Sequence, residues 1–453
     1  MNGAFFSELL TSIADRGRNL LGLPAGEEAA RRSGGTAQLC EALLSGRGEA
    51  SGTALAREVL QNYTALNQAG KLAFFTALAD RFGPDPANLG KAVDAWTKEP
   101  NDERSAALHY ASEPRRQELF RRLNRAPGGT AALVAMREDL LSLLRANPAL
   151  KVVDRDFVHL LNSWFNRGFL VLRRIDWSSP AVVLEKIIRY EAVHQIRDWD
   201  DLRRRIDPPD RRCYAFFHPA LVDEPLIFVE VALSAEMPAA VQPLLAEART
   251  PTPLAKANTA AFYSISNCQQ GLAGVSFCNF LIKQVVEELR RELPGVSTFV
   301  TLSPVPGLMK WLRDNAKLLT DSDRAVLEGL DDPLWHQDED FTSRARALLE
   351  PLAAYYFLEA RTPGNRPIDP VARFHLGNGA RLERIDWLGD TSPKGLSESA
   401  GLMVNYLYDL DQIERNHEAF ANAGEVVASG PVRRLLKAGA RPRLSPANGA
   451  KSL

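Results

Sequence analysis

Apolar residues recur at three- and four-residue spacing through most of residues 1–166. Leu55 to Leu66, Lys71 to Phe82, Asn88 to Trp96, Gln117 to Leu123, Thr130 to Leu144 and Asp154 to Phe165 each carry such a stripe, which is the period of an amphipathic helix. Gly83-Pro84-Asp85-Pro86 and Pro127-Gly128-Gly129 separate them, as helix-breaking residues do. No β-branched run interrupts the stretch. Residues 1–166 therefore predict an all-helical bundle.

The pattern then changes. Cys213 to Phe217 is a short apolar run, and Leu226 to Leu233 is apolar at nearly every position, the mark of a strand covered on both faces. Together they predict an antiparallel hairpin. Ala260 to Ser266 is a further strand, leading into a glycine-bearing loop, Asn267 to Gly274. Phe277, Leu281, Val285, Leu289 and Leu293 form one stripe with charge on the opposite side, so 277–293 predicts a strong amphipathic helix. Val296 to Leu302 alternates, with Thr301 facing away from Val300 and Leu302, and Ser303-Pro304 closes that strand. Helix returns at Met309 to Leu319 and Thr342 to Ala360. Val371 to Leu376 and Leu382 to Trp387 flank Asn378-Gly379, the dipeptide favoured by a tight hairpin turn, which puts His375 on a strand. Gly401 to Leu410 predicts a last strand. Residues 167–437 thus read as α+β, a mixed, mostly antiparallel sheet flanked by helices, and 438–453 as a frayed tail rich in Ala, Arg, Pro, Gly and Ser.

Composition narrows the classes. Lys plus Arg is 55 and Asp plus Glu is 56, which argues against a generally basic nucleic-acid binder. The four cysteines, at 40, 213, 268 and 278, form no C-x-x-C pair and no zinc spacing with histidine, so they read as reduced thiols. No apolar run is long enough to span a bilayer. The first residues lack the pattern of a secretory signal, and Lys451-Ser452-Leu453 is not the peroxisomal S-K-L address. The expected location is cytoplasmic.

Three places could carry chemistry. The loop at Gly271 and Gly274 opens a helix, where exposed N–H groups and the positive dipole end suit a phosphate or pyrophosphate. Its spacing is neither G-x-G-x-x-G nor a Walker A, and an ordinary strand-to-helix connection is the plainer reading. His375 is a candidate proton donor, although from the pattern alone a strand histidine beside Phe374 and Leu376 is more often a satisfied, partly buried structural residue. Ser303 sits at a strand end fixed by Pro304 and Pro306; it lacks the G-x-S-x-G elbow, and a turn serine is the plain alternative. His194 and His218 have no ligand spacing.

The stretches themselves are more specific. Phe262-Tyr-Ser-Ile-Ser266, Gln269-Gln-Gly-Leu-Ala-Gly274, Phe280-Leu-Ile-Lys283, Leu302-Ser-Pro-Val-Pro-Gly307, Phe374-His-Leu-Gly-Asn-Gly379, Arg384-Ile-Asp-Trp387, Gly401 to Tyr408, Glu191-Ala-Val-His194 and Arg211-Arg-Cys-Tyr214 resemble, in order and spacing, the malonyl-CoA decarboxylases over residues 160–420. The resemblance implies a helical domain used in self-association, as a homo-oligomer and expected tetramer, and a catalytic domain like that of GNAT acetyltransferases. It implies conversion of malonyl-CoA to acetyl-CoA and CO2 with no metal or redox cofactor, in a bacterial cytoplasmic protein. It further implies Ser303, His375 and Tyr408 as the catalytic residues, and Gly271, Ala273, Gly274, Val275, Ser276, Phe277, Cys278 and Asn279 as the segment that touches the substrate. Ser276 departs from the acidic residue of eukaryotic members. A CoA-dependent acyltransferase and a non-catalytic CoA-ester binding protein are the alternatives.

Overall fold

The computed structural model describes residues 35–45, 48–275 and 281–438. Over these residues the chain forms two compact units. One comprises the chain up to Val171 together with Phe217–Glu224 and Gln269–Phe277; the other comprises Leu172–Phe216, Pro225–Cys268 and the chain from Cys278 onward.

The first unit is helical: α1 (Gly35–Ser45), α2 (Glu49–Thr64), α3 (Gln68–Arg81), α4 (Pro86–Lys98), α5 (Asp102–Ser112), α6 (Arg115–Asn124), α7 (Gly129–Leu143) and α8 (Lys151–Trp164). Polar side chains start several of these. Asn67 caps α3 through Gly70 N, and Asp85 caps α4 through Ala87 and Asn88 N ahead of Pro86, each satisfying amides that have no intrahelical partner. The core is apolar, with Phe120 stacked on Phe157 at 4.1 Å, and contains the ion pair of Arg116 with Asp156. Helices α4 and α5 bury no residue. The apolar period does not mark α5, because its signal is a cap at Asn101 followed by Asp102 and Glu103, not a stripe.

The second unit begins near β1 (Val171–Ile175), followed by α9 (Ala181–Tyr190), α10 (Trp199–Ile206), β2 (Arg211–Phe217), β3 (Pro225–Ser234), β4 (Thr259–Asn267), α11 (Leu281–Glu292), β5 (Thr298–Thr301) and β6 (Ser303–Pro304). Then come α12 (Leu308–Asp314), α13 (Asp321–Gly329), α14 (Glu339–Leu358), α15 (Pro370–Gly377), β7 (Arg381–Asp386), α16 (Pro393–Ser399), β8 (Met403–Leu407), α17 (Ile413–Ala423) and α18 (Gly430–Ala438). The sheet order is β1-β2-β3-β4-β5-β8-β6, with β7 also on β8. β3–β4, β5–β8, β6–β8 and β7–β8 are antiparallel, and β4–β5 is parallel. This is the mixed, helix-flanked sheet that the sequence predicts. All of β2 and nearly all of β3 is buried, as their largely apolar runs predict. Ala232, Val241, Tyr263, Leu302 and Met403 pack together against the sheet.

Two irregularities shape β4. Glu230 and Val231 are adjacent on β3 but pair with Ser264 and Phe262, so Tyr263 is the extra residue of a β-bulge. On its other edge β4 pairs with β5 only from Thr259 to Phe262. Cys40 and Cys213 are buried free thiols, and Cys268 is buried; Cys278 and the expected frayed tail lie outside the described residues, apart from Ala438.

Candidate active site

Alternation along a strand puts residues two apart on one face, and Thr301 and Ser303 obey it across the β5–β6 junction. Ser303 pairs with Val404, and its Oγ donates to Thr301 Oγ1 at 2.8 Å. Thr301 Oγ1 also accepts from Tyr406 N at 3.2 Å, so the serine hydroxyl is held from beneath.

His375 is not on a strand. Asp369 and Pro370 decide the matter: the Asp369 carboxylate accepts from Ala372 N at 2.7 Å, and proline suits the first helical position. A helix from Pro370 to Gly377 results, with His375 in its last turn. Asn378-Gly379 forms no hairpin turn, because Asn378 has φ −93° and only Gly379 is positive, at +81°, where a type I′ turn needs both. Gly379 instead ends the helix, and β7 then pairs with β8.

The three expected catalytic side chains come together from these separate elements. His375 Nε2 lies 3.1 Å from Ser303 Oγ, and Nδ1 lies 2.8 Å from Tyr408 Oη. All three residues are buried. Burial holds the imidazole down to about 3 and raises Tyr408, so at neutral pH the ring is neutral and the phenol keeps its proton. Hydrogen-bond accounting then assigns the tautomer. Ser303 spends its hydrogen on Thr301, so Nε2 carries the ring proton and donates to Ser303; Nδ1 accepts from Tyr408. The Tyr406 ring stacks on the imidazole at 4.6 Å and 24°, fixing its plane.

The glycine loop belongs to the helical unit. Gly271 presses on α7 so closely that a Cβ would stand 2.0 Å from Val134 O. Its carbonyl accepts from Arg137 Nη1 at 2.7 Å, while Arg137 Nε donates to Asp154 at 2.8 Å. Ala273, Gly274 and Val275 follow, Gly274 at φ +76°. Ser276, Phe277, Cys278 and Asn279 lie outside the described residues. Ser303, His375 and Tyr408 belong to the sheet unit.

A sequence model of the malonyl-CoA decarboxylase C-terminal domain matches residues 168–445, and one of the N-terminal domain of the same family matches 82–165. A mitochondrial malonyl-CoA decarboxylase of Anser anser anser is 36% identical over 413 residues, covering 83% of this chain and 82% of that protein. The crystal structure of malonyl-CoA decarboxylase from Rhodopseudomonas palustris is 60% identical at a TM-score of 0.86, over 89% of this chain and 99% of that one. That from Agrobacterium vitis is 56% identical at 0.85, over 88% and 99%. The chain belongs to the malonyl-CoA decarboxylase family.

Within this enzyme several residues of the site escape the sequence reading. Thr301 is one; its signal was the alternation that placed it two positions before Ser303. Tyr406 is another, two before Tyr408 on β8. Glu191, in a stretch that carries the family resemblance, anchors the neighbouring turn: its carboxylate accepts from Ser264 Oγ at 2.7 and 2.8 Å, from Ser266 Oγ at 3.1 Å, and from the amides of Val193 and His194. It thereby pins the Glu191-Ala-Val-His194 turn to the part of β4 just beyond the bulge. Burial drives the His194 ring down to about 4, partly offset by the charge of Asp390.

Proposed function

We propose that the enzyme converts malonyl-CoA to acetyl-CoA and CO2 through Ser303, His375 and Tyr408. The observation that carries this reading is the buried chain from Ser303 through the Nε2–H tautomer of His375 to the Tyr408 hydroxyl. The malonyl carboxylate leaves as CO2, and the electron pair of the broken carbon–carbon bond passes into the thioester, forming an enolate. One proton then adds to the α-carbon. The thioester itself accepts the electrons, so the step calls for no metal or redox cofactor.

Ser303 orients the carboxylate, and His375 Nε2 delivers the proton. The resting ring is neutral because it is desolvated. An arriving carboxylate favours the imidazolium, so the proton consumed per turnover enters the site with its substrate. Tyr408 holds Nδ1. Backbone amides at the β4 bulge are the donors for the thioester oxygen, each such donor being worth about a hundredfold in rate. The segment Gly271, Ala273 to Asn279 holds the CoA moiety, its glycine backbone offering N–H groups to phosphate.

We read the protein as a homo-oligomer, a tetramer, located in a bacterial cytoplasm. Helices α4 and α5, which bury nothing and expose Val93, Trp96 and Tyr110, support self-association; light scattering gives its mass. Among the described residues no helix is long and apolar enough to cross a membrane. The deciding experiment supplies malonyl-CoA alone and follows CO2 and acetyl-CoA. Wild type should release both in equal amounts. Ser303→Ala and His375→Ala should remain folded and lose about a hundredfold or more. Saturable binding without turnover would shift the reading to an acyltransferase lacking its acceptor.

A further inference from the structure

Ser303 and His375 are 72 residues apart in sequence, and their separation depends on two segments, the 303–307 loop and helix α15. Both lead to one buried hydroxyl. Tyr356 on α14 is fully buried and donates to Asp369 Oδ2 at 3.3 Å. Asp369 is the N-cap of α15, its other oxygen holding Ala372 N. That helix has eight residues, so its cap and His375 move as one short rod. On its other side the Tyr356 hydroxyl packs on Gly307, where a Cβ would stand 2.8 Å from it, and the ring lies 5.1 Å from Trp311. Gly307 caps α12 and follows Ser303 by way of Pro304 and Pro306, two residues of fixed φ that make the link stiff.

We propose that Tyr356 is a positioning residue: its hydroxyl joins the segment carrying Ser303 to the cap of the helix carrying His375, and so sets the spacing of the pair. The proposal rests on the Ser303–His375 reading above. The Tyr356 hydroxyl bonds to Asp369 and not to either residue of the pair.

Asp369 bears the mark of such a role. It is fully buried, and burial lifts its carboxyl to about 6, against the amides of Ala372 and Val371, the Tyr356 hydroxyl and the Arg373 guanidinium. The charge of Asp369 also acts on Tyr406 of β8, whose hydroxyl has no hydrogen-bond partner among the described residues. A carboxyl whose pKa rises on folding stabilises the fold at low pH and loses that contribution as pH climbs through about 6. The ionised form is therefore kept at neutral pH at a cost in stability, as happens where a site is held for function. Below about 6 the protonated carboxyl becomes a donor, and the Tyr356 hydroxyl must turn.

The test compares kcat, KM and the pH dependence of kcat in wild type, Tyr356→Phe, Asp369→Asn and Ser303→Ala, each checked for a cooperative thermal transition. Tyr356→Phe should lower kcat about tenfold with KM within about twofold, as small misplacements of reacting groups do. It should also move the acid limb of kcat, near pH 6 in wild type, to higher pH, because the carboxyl has lost a donor that pulls it down. Asp369→Asn keeps an oxygen for Ala372 N and should flatten the limb. A loss of stability alone would scale the profile without moving it. Wild-type kcat and an unmoved limb in Tyr356→Phe, beside an inactive Ser303→Ala, overturns the proposal. Wild-type turnover in Ser303→Ala overturns the underlying Ser–His reading instead. Should Tyr356→Phe not fold, an acid limb unchanged in Asp369→Asn refutes the tie and its loss supports it.

Discussion

Tyr408→Phe removes a single oxygen from a fully buried site. In wild type that oxygen donates to His375 Nδ1 across 2.8 Å and keeps the ring proton on Nε2, which faces Ser303 at 3.1 Å. Without it Nδ1 is a buried acceptor with no partner, a loss of about 1–3 kcal/mol. Part of this is recovered if the proton moves to Nδ1, but Nε2 then turns a bare acceptor toward Ser303 and the arriving carboxylate, so the productive arrangement is populated only in proportion to the tautomer ratio. A preference of about 1–2 kcal/mol corresponds to a tautomer ratio of about 5 to 30. We therefore expect kcat to fall by about that factor, with KM within about twofold. The assay is acetyl-CoA formation from malonyl-CoA at neutral pH, paired with nitrogen-15 NMR of labelled histidine to read the tautomer. Wild-type kcat with the Nε2–H form intact would refute the reasoning. An altered tautomer at wild-type kcat would show that the proton does not come from His375.

Three further outcomes follow from other parts of the structure. Ser303→Ala should abolish most turnover and lower the melting temperature by only a few degrees, since it strands the buried Nε2–H of His375 at about 1–3 kcal/mol; a folded variant with normal turnover removes Ser303 from the chemistry. Gly271→Ala places a carbon 2.0 Å from Val134 O, where about 3.3 Å is the ordinary limit. The loop must retreat far enough to break the 2.7 Å bond from Arg137; a charged hydrogen bond of about 1.5–3 kcal/mol lowers the melting temperature by about 3–10 °C, and unchanged melting counts against the close approach. Glu230 is buried on β3, and desolvation followed by the charge of Glu191 pushes it up to about 8, against the pull of Arg205. Its folded pKa exceeds the unfolded one, so its contribution is complete below about 4.5 and lost as pH rises through 8. Glu230→Gln should accordingly melt higher than wild type at pH 9 and not at pH 5; an equal offset at both values contradicts this.

Strands β2 and β3 were legible because their apolar runs, Cys213 to Phe217 and Leu226 to Leu233, agree with their burial. The helix bearing His375 was misread because a local hairpin signal, Asn378-Gly379, outweighed a cap signal, Asp369-Pro370, that was equally present. Helix α5 was missed because nothing in it is buried, so selection for an apolar stripe never acted there. The site divides in the same way. Ser303, His375 and Tyr408 could be named from resemblance, and the alternation at Thr301 was visible. The distances between them were not, because they arise from strand and helix placements separated by 72 and 33 residues. Asp369 shows in the sequence only as a cap before Pro370, and its link to Tyr356 leaves no pattern, since it joins two helices.

The grip of Arg137 on Gly271 also sets a timetable for biosynthesis. The two residues are 134 positions apart, and the helical unit draws on chain as late as the stretch beginning at Gln269. At about 5–20 residues per second the ribosome needs on the order of ten seconds to cover that distance. Until then the buried guanidinium of Arg137 lacks its carbonyl partner and α7 lacks the backbone that packs on Val134. The helical unit thus cannot finish folding until the stretch from Gln269 has emerged, and during that interval the unfinished α7 surface is open to chaperones and proteases.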